Sequence, residues 1–230
     1  MITAKLYKIS EDYDLMELGK KLEKYDKTEI GVTDDGKKIK LRTNVENIKL
    51  DKNKNKIRGI INVDYIGWKN YRGEKEYFPV NVFSEFYIKR YGESYFLFVF
   101  KNIKVAQIVE KKLNDIMFGV PGTISGCNLT SEQIHIIMGG CEGEIYHRSS
   151  WENLDLRNIS KSDISGPNIK DTDDYEKYDS HGDMSYTLFR SKKYDNCVFG
   201  VSKLGVVFTP NKKDQAFLIR VITEQVLPLL

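Results

Sequence analysis

Cysteine and histidine are scarce in this chain. Its 230 residues include three of each, and the cysteines are too few and too widely spaced to form the disulfide framework of a small secreted protein. We therefore expect a reducing compartment and a cytoplasmic protein. All six residues nevertheless lie between positions 127 and 197, so thiol or imidazole chemistry has to be sought in that part of the chain.

Long apolar runs are also missing. No run approaches the about 20 residues that cross a bilayer. Lys5 and Lys8 interrupt the N-terminus, where a secretory signal would need an apolar region. The apolar fraction of 40% and the charged fraction of 30% are typical of a globular protein in water. We expect no membrane contact, and the length allows one large domain or two small ones.

Phosphate-binding motifs are absent from the glycine-rich stretch 119–148. Its six glycines lack the lysine with which a P-loop reaches phosphates, and no strand, G-x-G-x-x-G and helix follow one another as in dinucleotide-binding proteins. The glycines therefore indicate turns. We expect a connector with a short helix that is capped by Thr130 and Gln133 and ends at Gly139. No cofactor is expected.

A period of two in the apolar residues predicts strands. Ile57, Ile61 and Val63 share one side of such a strand, whereas Arg58 and Asn62 share the other. Turn residues separate further strands of this kind and predict hairpins at 34–36, 52–55 and 92–93. The first half of the chain is therefore expected to form an antiparallel sheet.

Helical spacing of apolar residues predicts three longer helices, at 11–25 with Ser10 as the N-cap, at 105–118 and at 214–227. The fold class is thus α+β, with antiparallel sheets that are each backed by amphipathic helices, in two lobes. We assign a basic, aromatic-rich lobe with two helices to 1–118, the connector to 119–150 and a C-terminal lobe to 151–230. The last is expected to contain an acidic surface loop over 151–184, three strands and the final helix.

Charge is divided unevenly along the chain. Residues 1–118 contain 24 Lys and Arg against 18 Asp and Glu, whereas residues 119–230 contain 12 against 15. A basic excess in one half is a mild indication that this half binds a polyanion. The plainer interpretation, two solvated surfaces of different sign, remains open.

Basic and aromatic residues concentrate in two segments of the first half. A predicted hairpin tip, opposed only by Asp51, carries Lys49, Lys52, Lys54, Lys56 and Arg58. A connection at 67–77, expected to be an exposed loop, carries Trp68, Lys69, Tyr71, Arg72 and Lys75. Basic groups neutralise phosphates, and exposed aromatic rings stack on unpaired bases. The leading hypothesis is therefore a non-catalytic protein that binds DNA or RNA through these ten residues.

Two plainer interpretations stand beside this hypothesis. A lysine-rich turn is also a common way to keep a sheet edge from aggregating. Most of the nearby aromatic residues are expected to be core, namely Phe83, Phe86, Phe96, Phe98 and Phe100.

A thiol-dependent hydrolase is one enzymatic alternative. Cys141 stands between glycines, as the nucleophile of a strand-to-helix elbow does, and a helix N-terminus would lower its pKa. His147 or His181 would then act as the base. The plainer interpretation is a buried thiol in a turn.

A metal-assisted hydrolase or nuclease is the second enzymatic alternative. Cys127, His135, Cys141 and His147 are candidate ligands, although they lack the C-x(2–4)-C chelate of structural zinc sites. Acidic residues between Asp171 and Asp183 would suit Mg²⁺ or Ca²⁺. We expect no resident metal, because a solvated acidic loop explains the same residues.

The final helix indicates a third class of function. Its apolar residues cover more than one side, so the helix is expected to be buried in its own chain or against a partner. A homodimer, or a subunit of an assembly that docks through this helix, is therefore a further alternative. Packing within the chain is the simpler account.

Overall fold

The computed structural model describes residues 1–10, 13–51 and 55–230, apart from the side chains of residues 144 and 145. Within these residues the chain forms five α-helices and a large antiparallel sheet of twelve strands, which confirms the α+β class. No helix in this part of the chain is long and apolar enough to cross a membrane. Contacts divide the chain into two compact units, Tyr7–Ser125 and Met1–Leu6 with Gly126–Leu230.

The unit Tyr7–Ser125 contains most of the predicted hairpins. Its elements are β1 (Ile2–Ile9, from Tyr7 onward), α1 (Leu15–Glu23), β2 (Asp26–Val32), β3 (Lys38–Asp51), β4 (Lys56–Tyr71), β5 (Glu74–Tyr91), β6 (Ser94–Val99), α2 (Ile103–Met117) and most of β7 (Ile124–Gly126). Neighbouring strands are hydrogen-bonded in the order β2-β3-β4-β5-β6-β1. The pairing of β3 with β4 has an irregularity between Glu46 and Lys49.

The core of this unit lies between the sheet and the two helices. Leu18 and Leu22 of α1 and Leu113 of α2 are almost completely buried against the sheet, with Ile61 and Val63 of β4 in the same cluster. Each such side chain stabilises the fold by about 1.5–3 kcal/mol relative to leaving it exposed. The period of two that predicted β4 therefore exists because one of its faces meets the helices.

Both helices begin at a side-chain cap. Asp14 Oδ1 accepts the backbone N–H of Met16 at 2.8 Å, and Asn102 Oδ1 accepts that of Val105 at 3.1 Å. The helix predicted at 105–118 is confirmed. The N-cap prediction at Ser10 is wrong, because the capping carboxylate is supplied four residues later. Residues 11 and 12, on which that prediction depended, lie outside the described residues.

The hairpin β4–β5 is the longest feature of this unit. Its register is uninterrupted from Lys56 opposite Lys89 to Tyr71 opposite Glu74. The chain reverses through Arg72 and Gly73, which have positive φ values of 53° and 88°, as a two-residue type I′ hairpin turn requires. The prediction of a loop over 67–77 is therefore wrong. The glycine, lysine and glutamate residues of this segment are uncommon in strands, so the sequence pattern did not indicate one. The backbone hydrogen bonds that hold the strand do not depend on apolar side chains.

The unit of Met1–Leu6 and Gly126–Leu230 has a second set of strands and helices. Its elements are the start of β1, α3 (Ser131–Gly140), β8 (Gly143–Leu156), β9 (Ile159–Ser165), a 3₁₀ turn (Ile169–Asp171), α4 (Asp173–His181), β10 (Asp183–Ser191), β11 (Cys197–Ser202), β12 (Val206–Thr209) and α5 (Gln215–Val221). The strands pair in the order β1-β12-β11-β10-β8-β9. The three strands predicted near the C-terminus are confirmed as β10, β11 and β12.

The short helix of the glycine-rich stretch is confirmed as α3. Thr130 Oγ1 accepts the N–H of Gln133, and the Gln133 side chain accepts the N–H of Thr130 at 2.9 Å, which completes the capping box. The helix ends at Gly140, one residue beyond the prediction. A turn at Cys141 and Glu142 leads into β8 at Gly143, so the last part of this stretch is a strand and not a connection.

The acidic segment 151–184 is not a loop, contrary to the prediction. It contains the end of β8, all of β9 and all of α4. Trp151 and Tyr175 are buried and meet edge to face, with ring centroids 5.2 Å apart. β9 lies at the end of the strand order and pairs only with β8. Its exposed positions therefore tolerate serine, lysine and aspartate. Because these residues are polar, the sequence did not show the apolar pattern of a strand.

The predicted final helix is present but irregular. α5 is followed by a π-helical segment, Ile222–Val226, and a 3₁₀ turn, Leu227–Leu229. Asp214 caps α5 by accepting the N–H of Phe217 at 2.8 Å. Five apolar side chains of this C-terminal segment are almost completely buried: Leu218, Val221, Ile222, Val226 and Leu227.

Candidate nucleic-acid interface

The ten residues predicted to bind nucleic acid belong to two groups that the structure keeps apart. Lys52 and Lys54 lie outside the described residues. Lys56 and Tyr71 are the first and last residues of β4, a 16-residue strand, so they lie about 50 Å apart at roughly 3.3 Å per residue. Each group lies at its own end of the hairpin β4–β5, and a ligand would have to follow the hairpin to meet both.

Strand alternation sorts the described residues by face. We call the face of β4–β5 turned away from α1 and α2 the outward face. Because successive side chains alternate and the core residues of β4 have odd numbers, the outward face carries Lys56, Arg58 and Trp68. Cross-strand pairing adds Lys49 opposite Arg58 and Lys75 opposite Asn70.

The other predicted residues lie at the hairpin tip. Alternation places Lys69 and Tyr71 on the face opposite to Trp68, and Arg72 is in the turn. The Lys69 ammonium lies 5.8 Å from the ring centroid of Tyr71 and 5.9 Å from that of Phe78. The tip therefore has aromatic rings and cations on both faces.

Several of the basic residues are already paired with carboxylates. Lys56 Nζ lies 3.4 Å from Asp51 Oδ2, Arg58 Nη2 lies 2.7 Å from Glu85 Oε2, and Lys69 Nζ lies 2.9 Å from Glu76 Oε2. Surface pairs of this kind contribute about 0–1 kcal/mol. A polyanion can therefore replace these carboxylates at little cost.

Two exposed aromatic rings on the outward face each have a lysine beside them. Trp68 is 56% exposed and Phe83 is 58% exposed. Lys75 Nζ lies 5.2 Å from the Trp68 ring centroid, and Lys101 Nζ lies 4.2 Å from that of Phe83. Such a contact at an exposed site is worth about 0.5–1 kcal/mol, so a ligand that binds the ring more strongly can displace the lysine.

Sequence reasoning missed Phe83 and Lys101. The expectation that Phe83 is core is wrong, whereas Phe86, Phe96, Phe98 and Phe100 are buried as expected. The signal was present in the alternation: Ser84 and Phe86 face inward, so Phe83 between Val82 and Ser84 must face outward. An aromatic residue was assigned to the core by its type when its position indicated the surface.

Two cross-strand pairs lie between the two rings on the outward face. Asp64 is opposite Asn81, and Ile66 is opposite Pro79 beside Trp68. Asn81 Nδ2 donates to Asp64 Oδ1 at 2.8 Å, and the backbone N–H of Arg42 donates to Asp64 Oδ2 at 2.9 Å. The polar pair thus separates Phe83 from the apolar side chains of Ile66, Pro79 and Trp68, so the two rings do not form a continuous apolar patch.

No protein-family model matches the chain, and comparison with curated proteins gives no significant match. The function is therefore argued from the geometry of the residues themselves.

The proposed cysteine nucleophile does not have the predicted surroundings. A nucleophile elbow needs a strand before the cysteine and a helix after it. Cys141 instead follows α3 as its C-cap and precedes β8. Its N–H donates to Ile137 O, and its carbonyl accepts a hydrogen bond from Ser191 Oγ. Burial raises the pKa of the thiol to about 12, so the thiol stays protonated at neutral pH.

The candidate metal ligands Cys127, His135, Cys141 and His147 do not converge. Among the described residues, no group of three or more His, Cys, Asp or Glu side chains is arranged to hold a metal ion. All three cysteines are buried. The candidate acidic residues are distributed over three elements. Asp171 ends the 3₁₀ turn, Asp183 begins β10, and the others lie on α4.

The three histidines lie in different surroundings. His135 Nε2 of α3 is 3.1 Å from Asp179 Oδ1 of α4, which also accepts the indole N–H of Trp151 at 3.0 Å. Burial acts to raise the pKa of Asp179, but these hydrogen bonds outweigh burial and lower it. His181 Nδ1 is 2.9 Å from the carbonyl of Lys177 within α4. His147 is on β8 and His181 is the last residue of α4. Neither position supports the assignment of a base for Cys141.

Proposed function

We propose that this is a cytoplasmic, non-catalytic protein that binds DNA or RNA through the hairpin β4–β5. The observation that carries the proposal is the exposed Trp68 ring with Lys75 beside it. A base stacked on an aromatic side chain contributes about 1–3 kcal/mol, more than the about 0.5–1 kcal/mol of an exposed lysine–ring contact. A base can therefore displace the ammonium, which is then free to meet a phosphate.

The charge of the unit supports the same proposal. Residues 1–118 carry more basic than acidic side chains, and Lys49, Lys75 and Arg72 are exposed near the two ends of the hairpin. Neutralising phosphates releases counterions, so the logarithm of the association constant would fall linearly with the logarithm of the salt concentration. The small number and wide spacing of the cysteines support a reducing compartment.

The division of the fold into two lobes is part of the proposal. We regard each compact unit as one lobe, with the nucleic-acid surface on Tyr7–Ser125. An assembly subunit docked through the final helix has less support, because the apolar side chains of that helix are buried in its own chain. A thiol-dependent hydrolase has less support because burial raises the pKa of Cys141. A metal-assisted hydrolase gains no support from the positions of the histidines.

Charge reversal tests the proposal. Fluorescence anisotropy with labelled DNA and RNA, single-stranded and duplex, would be measured from 50 to 300 mM salt. Lys75→Glu and Lys101→Glu should each weaken binding and reduce the steepness of the salt dependence by about 0.7–0.9 for each phosphate that the variant no longer neutralises. Lys20→Glu, an equal change at an exposed position of α1, is the matched control and should have little effect.

Two results would contradict the proposal. One is the absence of salt-dependent binding to any of the four nucleic acids. The other is that Lys20→Glu weakens binding as much as Lys75→Glu and Lys101→Glu, since net charge alone would then explain the affinity.

A further inference from the structure

We infer that the bound nucleic acid is unpaired and lies along the outward face, with one base on Trp68 and another on Phe83. This inference rests on the proposed function and adds the form of the ligand and its register. Both rings are more than half exposed and share one face of an uninterrupted hairpin.

The exposed rings favour an unpaired strand over a duplex. In a duplex the flat face of each base is covered by its neighbours, and only phosphates, sugars and base edges are accessible. An aromatic side chain on a sheet can therefore stack only on bases that are unstacked from their own strand. Trp68 and Phe83 have no role in binding an intact duplex, whereas each offers a stacking position to a single strand.

The distance between the two rings sets the length of strand required. Phe83 is opposite Asn62, and Asn62 is six positions before Trp68 on the same strand. Six residues span about 20 Å, and successive stacked bases are about 3.4 Å apart. At the spacing of stacked bases this distance corresponds to about six steps, and therefore to about seven nucleotides. Because the bases that bind the rings are unstacked from their own strand, the bound strand is more extended and needs fewer.

The side chains around the rings fit the other parts of a nucleotide. Lys75 and Lys101 lie beside the rings, within reach of the phosphates that flank a stacked base. The exposed amide of Asn81 lies between the rings and can hydrogen-bond to base edges.

A protein partner fits this surface less well. The centre of a protein interface is a compact apolar cluster surrounded by polar residues. Here the apolar surface is interrupted, because Asp64 and Asn81 lie between Phe83 on one side and Ile66, Pro79 and Trp68 on the other, and the two rings are about 20 Å apart. Separated rings with adjacent cations match a ligand that alternates flat bases with phosphates.

The experiment compares three variants with nearly equal exposure. Trp68→Ala and Phe83→Ala remove the outward rings, and Val120→Ala, outside the hairpin and 62% exposed, is the control. Each would be titrated against a labelled ten-nucleotide single strand, a three-nucleotide strand and the ten-base-pair duplex. Phe83→Tyr keeps a ring and tests rescue, and urea unfolding of every variant checks that the fold is intact.

We expect Trp68→Ala and Phe83→Ala each to weaken binding of the ten-nucleotide strand by about 5- to 150-fold, which corresponds to about 1–3 kcal/mol per stacked base. Phe83→Tyr should restore the affinity, and Val120→Ala should change it less than twofold. The three-nucleotide strand should bind more weakly and lose its sensitivity to at least one of the two substitutions. Emission from the exposed Trp68 should be quenched by the single strand and not by the duplex.

The inference fails separately from the proposed function. Salt-dependent binding that is equal for duplex and single strand, and indifferent to Trp68→Ala and Phe83→Ala, would overturn the inference and leave nucleic-acid binding standing. Sensitivity to Trp68→Ala alone, with no effect of strand length, would overturn the two-ring register. Absence of binding to every nucleic acid would overturn both.

Discussion

Selective alkylation of Cys141 is the sharpest test of whether this protein has thiol chemistry. The side chain is 1% exposed, and burial raises its pKa to about 12. In an unfolded chain a cysteine has a pKa of about 8.5, so about a quarter of it is thiolate at pH 8, against about one part in ten thousand in the folded state. Because the thiolate is the nucleophile, the folded protein should react at least about 2,000-fold more slowly.

The measurement is an iodoacetamide pulse at pH 8 in native buffer and in concentrated urea, followed by peptide mass spectrometry. Cys127 and Cys197 are also buried and serve as internal controls in the same sample. Equal slow labelling of all three would indicate opening of the whole unit. A native rate for Cys141 within tenfold of its rate in urea, with the other two protected, would refute the reasoning and restore the thiol-dependent hydrolase.

Two further predictions concern the buried thiol and tyrosines and the carboxylate on the outward face. Cys141 and two buried tyrosines have raised pKa values, chiefly because burial disfavours their ionised forms. In the unfolded chain the thiol ionises above about pH 8.5 and the tyrosines ionise at higher pH, whereas in the fold all three stay protonated. The free energy of unfolding should therefore be constant below pH 8.5 and fall above it, by about 1.4 kcal/mol per pH unit for Cys141 alone. An unchanged urea midpoint between pH 8 and 10.5 would contradict this. Asp64→Asn should strengthen single-strand binding severalfold at low salt, because it removes a negative charge from the outward face and keeps an acceptor for the Arg42 N–H; weaker binding in the same anisotropy assay would argue against a polyanion there.

Elements with a strong local signal could be predicted from the sequence. The α2 stripe, the capping box of Thr130 and Gln133, and the glycine turn at Gly92 each follow from residues a few positions apart. Their physical causes are equally local: burial of one helix face, satisfaction of free N–H groups, and tolerance of positive φ.

Several of the predictions that failed, although not that for Phe83, depended on distant partners. β9 is polar because an edge strand is held by backbone hydrogen bonds to β8, and no local apolar pattern reveals that pairing. Phe83 was assigned to the core by residue type, although the alternation of its neighbours placed it outside. The separation of the two basic groups depends on the length of β4, which is set by its uninterrupted register with β5 and not by its own side chains.

β1 pairs with a strand that lies far from it in the sequence. Ile2 to Lys5 pair with Thr209 to Val206, so the start of β1 acquires this partner only after about 200 further residues have been made. Contacts of such long sequence separation slow folding. The unit that holds the N-terminal residues should therefore be completed last during synthesis, after Tyr7–Ser125 has emerged whole. A ribosome stalled before β12 would carry a chain in which the start of β1 still awaits this strand.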